Sequence, residues 1–172
     1  MEEVLGDHRQ VVPRPGEAWH AFCTRVADAF PDCIYYDETT PLIPYLILMN
    51  RLGFYTCSSQ PTRGGDRAWQ RAYVSGYVTK PMWRHLWDTL PRDLVIWENA
   101  RKSTMTVSAD INTRSHPGCN WSGSMVFDEK ILKPTYGDNI VAFHVTDMDW
   151  DRTDNYLFDH VVRALRMLQK SE

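Results

Sequence analysis

Residues 140–146 read IVAFHVT, and this run decides the fold that the sequence predicts. β-branched and aromatic residues dominate the run, and such residues favour a strand. Alternation along the strand would place Val141, Phe143 and Val145 on one face. Because the run leads into the last helical segment of the chain, we expect it to form a central strand of a sheet.

A terminal helix is predicted after this strand, from about residue 153 to residue 168. Four apolar residues recur at helical spacing within it, namely Leu157, Val161, Leu165 and Leu168. Aspartate and threonine side chains precede them and suit the positive end of a helix. We therefore expect the helix to bury one apolar stripe against the sheet.

The remaining patterns complete one domain, in the order two helices, two strands, a helix, four strands and the terminal helix. Gly76 interrupts a strand rich in Tyr and Val, which indicates a close approach or a bulge. The fold class predicted is α/β, with α+β as the alternative. It has a mixed or antiparallel sheet of about five to six strands with packed helices. Residues 1–15 are expected to be a loosely ordered leader and residues 16–172 the globular domain. The predicted strands are 54–58, 71–79, 94–98, 104–109, 123–127 and 140–146.

Composition and charge exclude several classes of protein. The chain has 172 residues, of which 43% are hydrophobic and 24% charged, and this is a folded composition rather than a disordered one. The formal net charge is −3, so no overall basic excess points to nucleic acid. The longest apolar run, residues 42–49, contains Pro44 and is too short to span a bilayer.

The four cysteines, Cys23, Cys33, Cys57 and Cys119, form no CxxC pair. Their number is too small for a secreted disulfide scaffold, so we expect reduced thiols and an intracellular, cytoplasmic location. No nucleotide-binding, zinc-protease or nucleophile-elbow motif occurs in the sequence. We therefore predict no metal site and no cofactor.

Polar residues near the predicted strand ends suggest a ligand site. Ser59 and Gln60 close one strand and Arg71 opens the next, so pairing of the two strands would bring these residues together. Asp147 ends a further strand. One guanidinium beside amide groups suits a phosphate, a carboxylate or the edge of a nucleobase. In the alternative interpretation, Ser59 and Gln60 satisfy loop backbone groups and Arg71 pairs with Asp147. The predicted ligand-binding residues are Ser59, Gln60, Gln70, Arg71, Asp147, Trp150 and Arg152.

Three stretches together resemble an uncharacterised family best known from actinobacterial proteins, a domain of unknown function. These stretches are PLIPYLILMNRLGFYTCSSQP at residues 41–61, QRAYVSGYV at residues 70–78 and FHVTDMDWDRTDNYLFDHVVRAL at residues 143–165. Their shared elements are an SQP turn, a QRAxVxG strand and a DxxWxR segment before the last helix. The resemblance implies the limits of the fold and the location of a site, and it implies no reaction.

Three functions remain open at this point. The first is a domain that binds a small anionic or nucleotide-like ligand at the residues above. The second is a protein-interaction or inhibitor module that acts through exposed aromatic residues such as Trp83, Trp87 and Trp97. The third is a hydrolase or transferase that uses a His–Asp pair or Cys57, which needs a nearby base to act as a nucleophile. The sequence leaves open whether the protein is an enzyme.

Overall fold

The computed structural model describes residues 11–33, 35, 37, 39–62, 71–98, 104–106, 124–126, 129–149, 152 and 154–171. Within those ranges the chain forms five α-helices and six strands. The helices are α1 (Trp19–Ala29), α2 (Ile43–Arg51), α3 (Lys80–Thr89), α4 (Glu129–Tyr136) and α5 (Tyr156–Ser171). The strands are β1 (Tyr55–Gln60), β2 (Tyr73–Thr79), β3 (Leu94–Glu98), β4 (Thr104–Thr106), β5 (Ser124–Val126) and β6 (Ile140–Asp147).

The main sheet has four strands in the order β1-β2-β6-β3, and every neighbouring pair in it is antiparallel. The fold is therefore α+β with an antiparallel sheet. The expectation of about five to six strands in one sheet was wrong, because β4 and β5 pair with each other in a separate two-stranded sheet. Alternation along the sequence identifies a strand but carries no information about its partner, which explains the overcount.

Strand β6 is central, as the sequence predicted, and all eight of its residues are buried. Val141, Phe143 and Val145 lie on one face by alternation, and the Phe143 ring packs edge-on against Phe54 with centroids 5.6 Å apart. The opposite face carries the polar residues His144 and Thr146. Burial of both faces explains why this strand reads as a nearly continuous apolar run.

Gly76 lies where β2 passes closest to β1. The register moves from Thr56 opposite Gly76 to Ser58 opposite Ser75, so Cys57 is the extra residue of a β-bulge. A Cβ atom on Gly76 would lie only 1.8 Å from the Tyr55 carbonyl oxygen. Both features that the sequence associated with this glycine, a bulge and a close approach, are confirmed.

The helices differ from the sequence prediction mainly at α4, which the sequence analysis did not find. Pro134 lies inside α4, and a proline there masks the helical pattern because it removes a backbone donor. The terminal helix α5 is confirmed, with Leu157, Val161 and Leu165 each at most 1% exposed. Leu168, the fourth residue of the predicted stripe, is only half-buried. This helix packs against α2 and α3, and α1 packs against α2.

Residues just before α1 are held by side chains of that helix. Arg25 Nη2 donates to the Val12 carbonyl at 2.7 Å, and Arg25 Nε lies 2.7 Å from Glu17 Oε1. The hydrogen bond from Arg25 lowers the pKa of Glu17 to about 2. Residues 1–10 lie outside the described ranges, so the loosely ordered leader stays a prediction.

Gly76→Ala tests the close approach of β1 and β2. The added methyl group would meet backbone atoms, which cannot rotate away, so we expect the free energy of unfolding to fall by about 3 kcal/mol or more. Gly137→Ala is the matched control, because Gly137 has a φ of 53° and a Cβ there would have no neighbour within 4 Å. Its cost should be only the roughly 1–2 kcal/mol of a left-handed backbone. Urea unfolding measures the free energy of unfolding of both variants. Equal decreases in the two variants would contradict the close contact between β1 and β2.

Candidate functional site

The antiparallel sheet has two ends, and different side chains gather at each. At one end β1 and β6 finish while β2 and β3 begin; we call it the Asp147 end. At the other end Gly53 precedes β1, Thr79 closes β2 and Ile140 opens β6; we call it the Gly53 end. All the predicted site residues within the described ranges lie at the Asp147 end.

Hydrogen bonds to backbone groups bring Gln60, Arg71 and Asp147 close together at this end. Gln60 Nε2 donates to the Arg71 carbonyl at 2.9 Å, and the Asp147 N–H donates to the Ala72 carbonyl at 2.9 Å. Ser59 lies opposite Val74 in the ladder between β1 and β2. The Arg71 guanidinium approaches the Met148 sulfur, with Nη1 at 3.2 Å. Gln70 and Trp150 lie outside the described residues.

Asp147 pairs with Arg152, which also contacts two further carboxylates. Arg152 Nε lies 3.4 Å from Asp147 Oδ2 and 3.5 Å from Asp149 Oδ2, and Nη2 lies 3.1 Å from Asp93 Oδ2. The guanidinium stacks 3.7 Å from the ring centroid of Tyr156, whose hydroxyl donates to Asp93 Oδ1 at 3.0 Å. We call these five residues the Arg152 cluster.

Burial and charge set the protonation states of this cluster. Asp147 is 1% exposed, and burial raises the pKa of its carboxyl group, although the Asp149 N–H and the Arg152 charge act in the opposite direction. For Arg152, burial alone would lower the pKa, but Tyr156, Asp147 and Asp93 outweigh it and raise the pKa above its ordinary value. Arg152 therefore stays charged, with three carboxylates around it. One cation among three carboxylates leaves the cluster acidic, which disfavours an anionic ligand.

A polar strip crosses the sheet next to this end, and the sequence analysis did not identify it. His144 Nε2 and Thr146 Oγ1 are 2.6 Å apart, the rings of His144 and Tyr73 stack with centroids 5.1 Å apart, and the hydroxyls of Tyr73 and Ser58 are 2.8 Å apart. Complete burial lowers the pKa of His144 to about 3, so the imidazole is neutral at physiological pH. The sequence pattern that could have indicated this strip is the alternation of apolar and polar residues in FHVT, residues 143–146. Cys57, at the bulge beside this strip, is 8% exposed.

A cavity of about 570 Å³ opens at the Gly53 end. Helices α1, α3 and α5 and the turns before β1 and β6 contribute to its wall. This volume lies within the range of about 300–1,000 Å³ that is typical of small-molecule sites. The lining residues are Trp19, His20, Leu52, Gly53, Thr79, Lys80, Pro81, Met82, Asn139, Leu165, Leu168 and Gln169.

Two contacts shape the wall of this cavity around Gly53. Trp19 Nε1 donates to the Gly53 carbonyl at 2.8 Å, which fixes the indole ring in place. Gly53 has a φ of 93°, and a Cβ on it would lie 3.0 Å from Met82 Cε and 3.5 Å from His20 Nδ1. The absence of a side chain therefore lets Met82 and His20 pack directly against the backbone of Gly53. This site was not predicted from the sequence, because its lining residues come from separate segments that no spacing relates.

The lining combines an apolar wall with polar and basic groups. Lys80 and His20 are exposed at the rim, whereas Leu52, Met82 and Leu165 are buried in the wall. Among the described residues, none that lines the cavity is an aspartate or glutamate. The cavity is therefore suited to an organic molecule with an apolar body and a negatively charged group.

The described residues also bear on the aromatic side chains, on metal ligands and on membrane helices. The rings of Trp83 and Trp87 contact each other with centroids 5.6 Å apart and planes tilted by 40°, but both residues are half-buried and pack against the core. In the described ranges no three His, Cys, Asp or Glu side chains are grouped to hold a metal ion. No helix in those same ranges has the length and apolar character needed to cross a membrane. The side chain of Trp97 lies outside the described part of the chain.

Comparison with known proteins identifies the family. The sequence profile of a domain of unknown function, DUF6919, matches residues 24–168. The chain belongs to this family. The match begins within α1 and ends in the last turns of α5, so the family domain includes the whole sheet and both of its ends. No curated protein matches the chain.

Arg152→Met tests the Arg152 cluster. Loss of the guanidinium would leave the buried Asp147 carboxylate without its charge partner, so the free energy of unfolding at pH 7 should fall by about 3 kcal/mol. Arg51→Met is the control, because the Arg51–Asp28 pair is exposed and spans 3.5 Å. That change should cost no more than about 0.5 kcal/mol. Equal losses in urea unfolding would contradict a structural role for Arg152.

The loss of stability in Arg152→Met should also depend on pH, and the raised pKa of Asp147 determines the direction of that dependence. The folded-state pKa of Asp147 is raised, so the stability that this group contributes is present below its unfolded pKa and is lost as pH rises through the folded pKa. Removing Arg152 should raise the folded-state pKa further. The difference in stability between wild type and Arg152→Met should therefore shrink as pH falls from 7 towards 4. A difference that grows on acidification would contradict this assignment.

Proposed function

We propose that this domain binds a small organic anion in the cavity at the Gly53 end. The observation that carries the proposal is the cavity itself, about 570 Å³ in volume, with a buried apolar wall and a rim that includes Lys80. An apolar wall supplies affinity through burial of ligand surface, and a few polar groups fix the orientation of the ligand.

The electrostatics of the two sheet ends favour this location over the one first predicted. At the Asp147 end the positive charge of Arg152 is already shared among Asp93, Asp147 and Asp149. Arg71 supplies a second guanidinium group at this end, and the three carboxylates still outnumber these two cations. At the Gly53 end Lys80 lines a cavity to which the described part of the chain contributes no carboxylate. A ligand role for Ser59, Gln60, Gln70, Arg71, Asp147, Trp150 and Arg152 stays a prediction.

The other functions have weaker support. A protein-interaction or inhibitor role needs an exposed aromatic surface, and Trp83 and Trp87 are half-buried. A Cys57 nucleophile must be reached by its substrate, and Cys57 is 8% exposed in a bulge. We also infer an intracellular location from the sparse cysteines, and an actinobacterial-type character from the SQP, QRAxVxG and DxxWxR motifs.

Titration with N-phenyl-1-naphthylamine, an uncharged fluorescent probe, tests whether the cavity takes up an organic molecule. Leu168→Trp would fill the cavity with a larger side chain, and we expect it to weaken binding of the probe by about tenfold or more, which corresponds to about 1.4 kcal/mol. Met167→Trp is the control, because Met167 is 50% exposed and does not line the cavity.

Circular dichroism and urea unfolding establish that both variants keep the fold. Equal affinities of Leu168→Trp and Met167→Trp for the probe would contradict binding in this cavity. The absence of probe binding to the wild-type chain would contradict the proposed function as well.

A further inference from the structure

We propose that the ligand is an amphipathic monocarboxylate, and that Lys80 is the residue that selects its charged group. This inference rests on the proposed function and narrows it to one chemical class. It is carried by the distribution of charge and apolar surface around the cavity.

The charge around the cavity suits one negative group. Lys80 is the one lysine among the described lining residues, and it carries a compact ammonium group with three donors. His20 adds a ring nitrogen, and α3 begins at Lys80, so the positive end of the helix lies at the same rim. The nearby neutral groups, Asn139 among them, offer hydrogen bonds without charge. A nucleoside mono-, di- or triphosphate carries about two to four negative charges near pH 7, so at least half of them would be unmatched by one lysine.

The apolar wall lies on the α5 side and around Gly53. Leu165 is 1% exposed and Leu168 is half-buried, and both line the cavity from α5. Leu52 and Met82 continue this surface from the turn before β1 and from α3. A ligand with an alkyl or aromatic body would gain binding free energy on this surface, at about 25 cal/mol for each Å² of apolar surface buried. A ribose has hydroxyl groups that would lose hydration against this wall without finding partners.

The two sides together define the orientation of the ligand. The carboxylate would lie at the rim beside Lys80, where water still reaches it, and the apolar body would point inward along α5. This arrangement avoids burial of an unpaired charge, which is strongly unfavourable. Lys80 is thus a specificity-determining residue, whereas Leu168 contributes to binding of any apolar body.

A matched pair of probes tests the inference. 8-Anilinonaphthalene-1-sulfonate differs from N-phenyl-1-naphthylamine by one sulfonate, which stands in for the single negative charge of a carboxylate. The wild-type chain should bind the sulfonate more tightly than the uncharged probe. Lys80→Met should reduce the affinity for the sulfonate about tenfold and leave that for the uncharged probe within about twofold. Lys130→Met is the control, because Lys130 is exposed on α4 and does not line the cavity.

Decanoate and AMP, added as competitors, separate the ligand classes. Decanoate should displace the sulfonate probe from the wild-type chain, and AMP should displace it at least about tenfold less effectively. Displacement by AMP at lower concentration than decanoate would overturn the monocarboxylate class. An equal loss of affinity for the sulfonate probe in Lys80→Met and in Lys130→Met would overturn the role of Lys80. In both cases binding of the uncharged probe, and its sensitivity to Leu168→Trp, would still support a ligand cavity.

Discussion

The burial of β6 on both faces is the constraint on which the rest of the structure depends. Its two edges are paired with β2 and β3, so its backbone groups are satisfied on both sides. A slip of one residue would exchange Phe143 with His144 and bring an imidazole into the apolar layer. The register is therefore fixed, and with it the positions of Asp147 at one end and Asn139 at the other. The Arg152 cluster is built at the first of these ends and the cavity at the second.

Helix α5 connects the two ends. It has 16 residues, which corresponds to a length of about 24 Å. Tyr156 in its first turn belongs to the Arg152 cluster, and Leu165 and Leu168 near its other end line the cavity. His85 Nε2 lies 2.7 Å from the Ala164 carbonyl and ties α3 to α5 beside the cavity. A wall held in this way is ordered before a ligand arrives, and this order reduces the entropy that binding costs.

The sequence predicted those features that depend on local pattern. The alternation in IVAFHVT placed Val141 and Phe143 correctly, and Gly76 indicated the bulge that the structure contains. Pairing between distant segments was harder to predict. Arg71 was considered as a partner of Asp147, whereas the structure pairs Asp147 with Arg152, and only the path of the chain after β6 decides this. Pro134 concealed α4 because a proline normally ends a helix.

The cavity could not be predicted because its lining is dispersed along the chain. Trp19, Gly53, Lys80, Asn139 and Leu168 come from widely separated segments, and no spacing relates them. Only the antiparallel order of the four strands brings Gly53, Thr79 and Ile140 to the same end. The same reasoning about strand ends that suggested the Asp147 end applies here, but it needs the topology first.

The most direct test of a ligand in this cavity is a ¹H–¹⁵N spectrum of the tryptophan indole groups during titration with 8-anilinonaphthalene-1-sulfonate. Trp19 Nε1 donates to the Gly53 carbonyl at the cavity wall, so its signal reports on this site, and Trp19→Phe assigns it. Trp83 and Trp87 are absent from the lining and serve as internal references. We predict that the Trp19 signal shifts and saturates with the probe while the Trp83 and Trp87 signals stay in place. A shift of the Trp83 and Trp87 signals with an unchanged Trp19 signal would contradict a ligand in the cavity and would favour the aromatic pair on α3 as the binding surface.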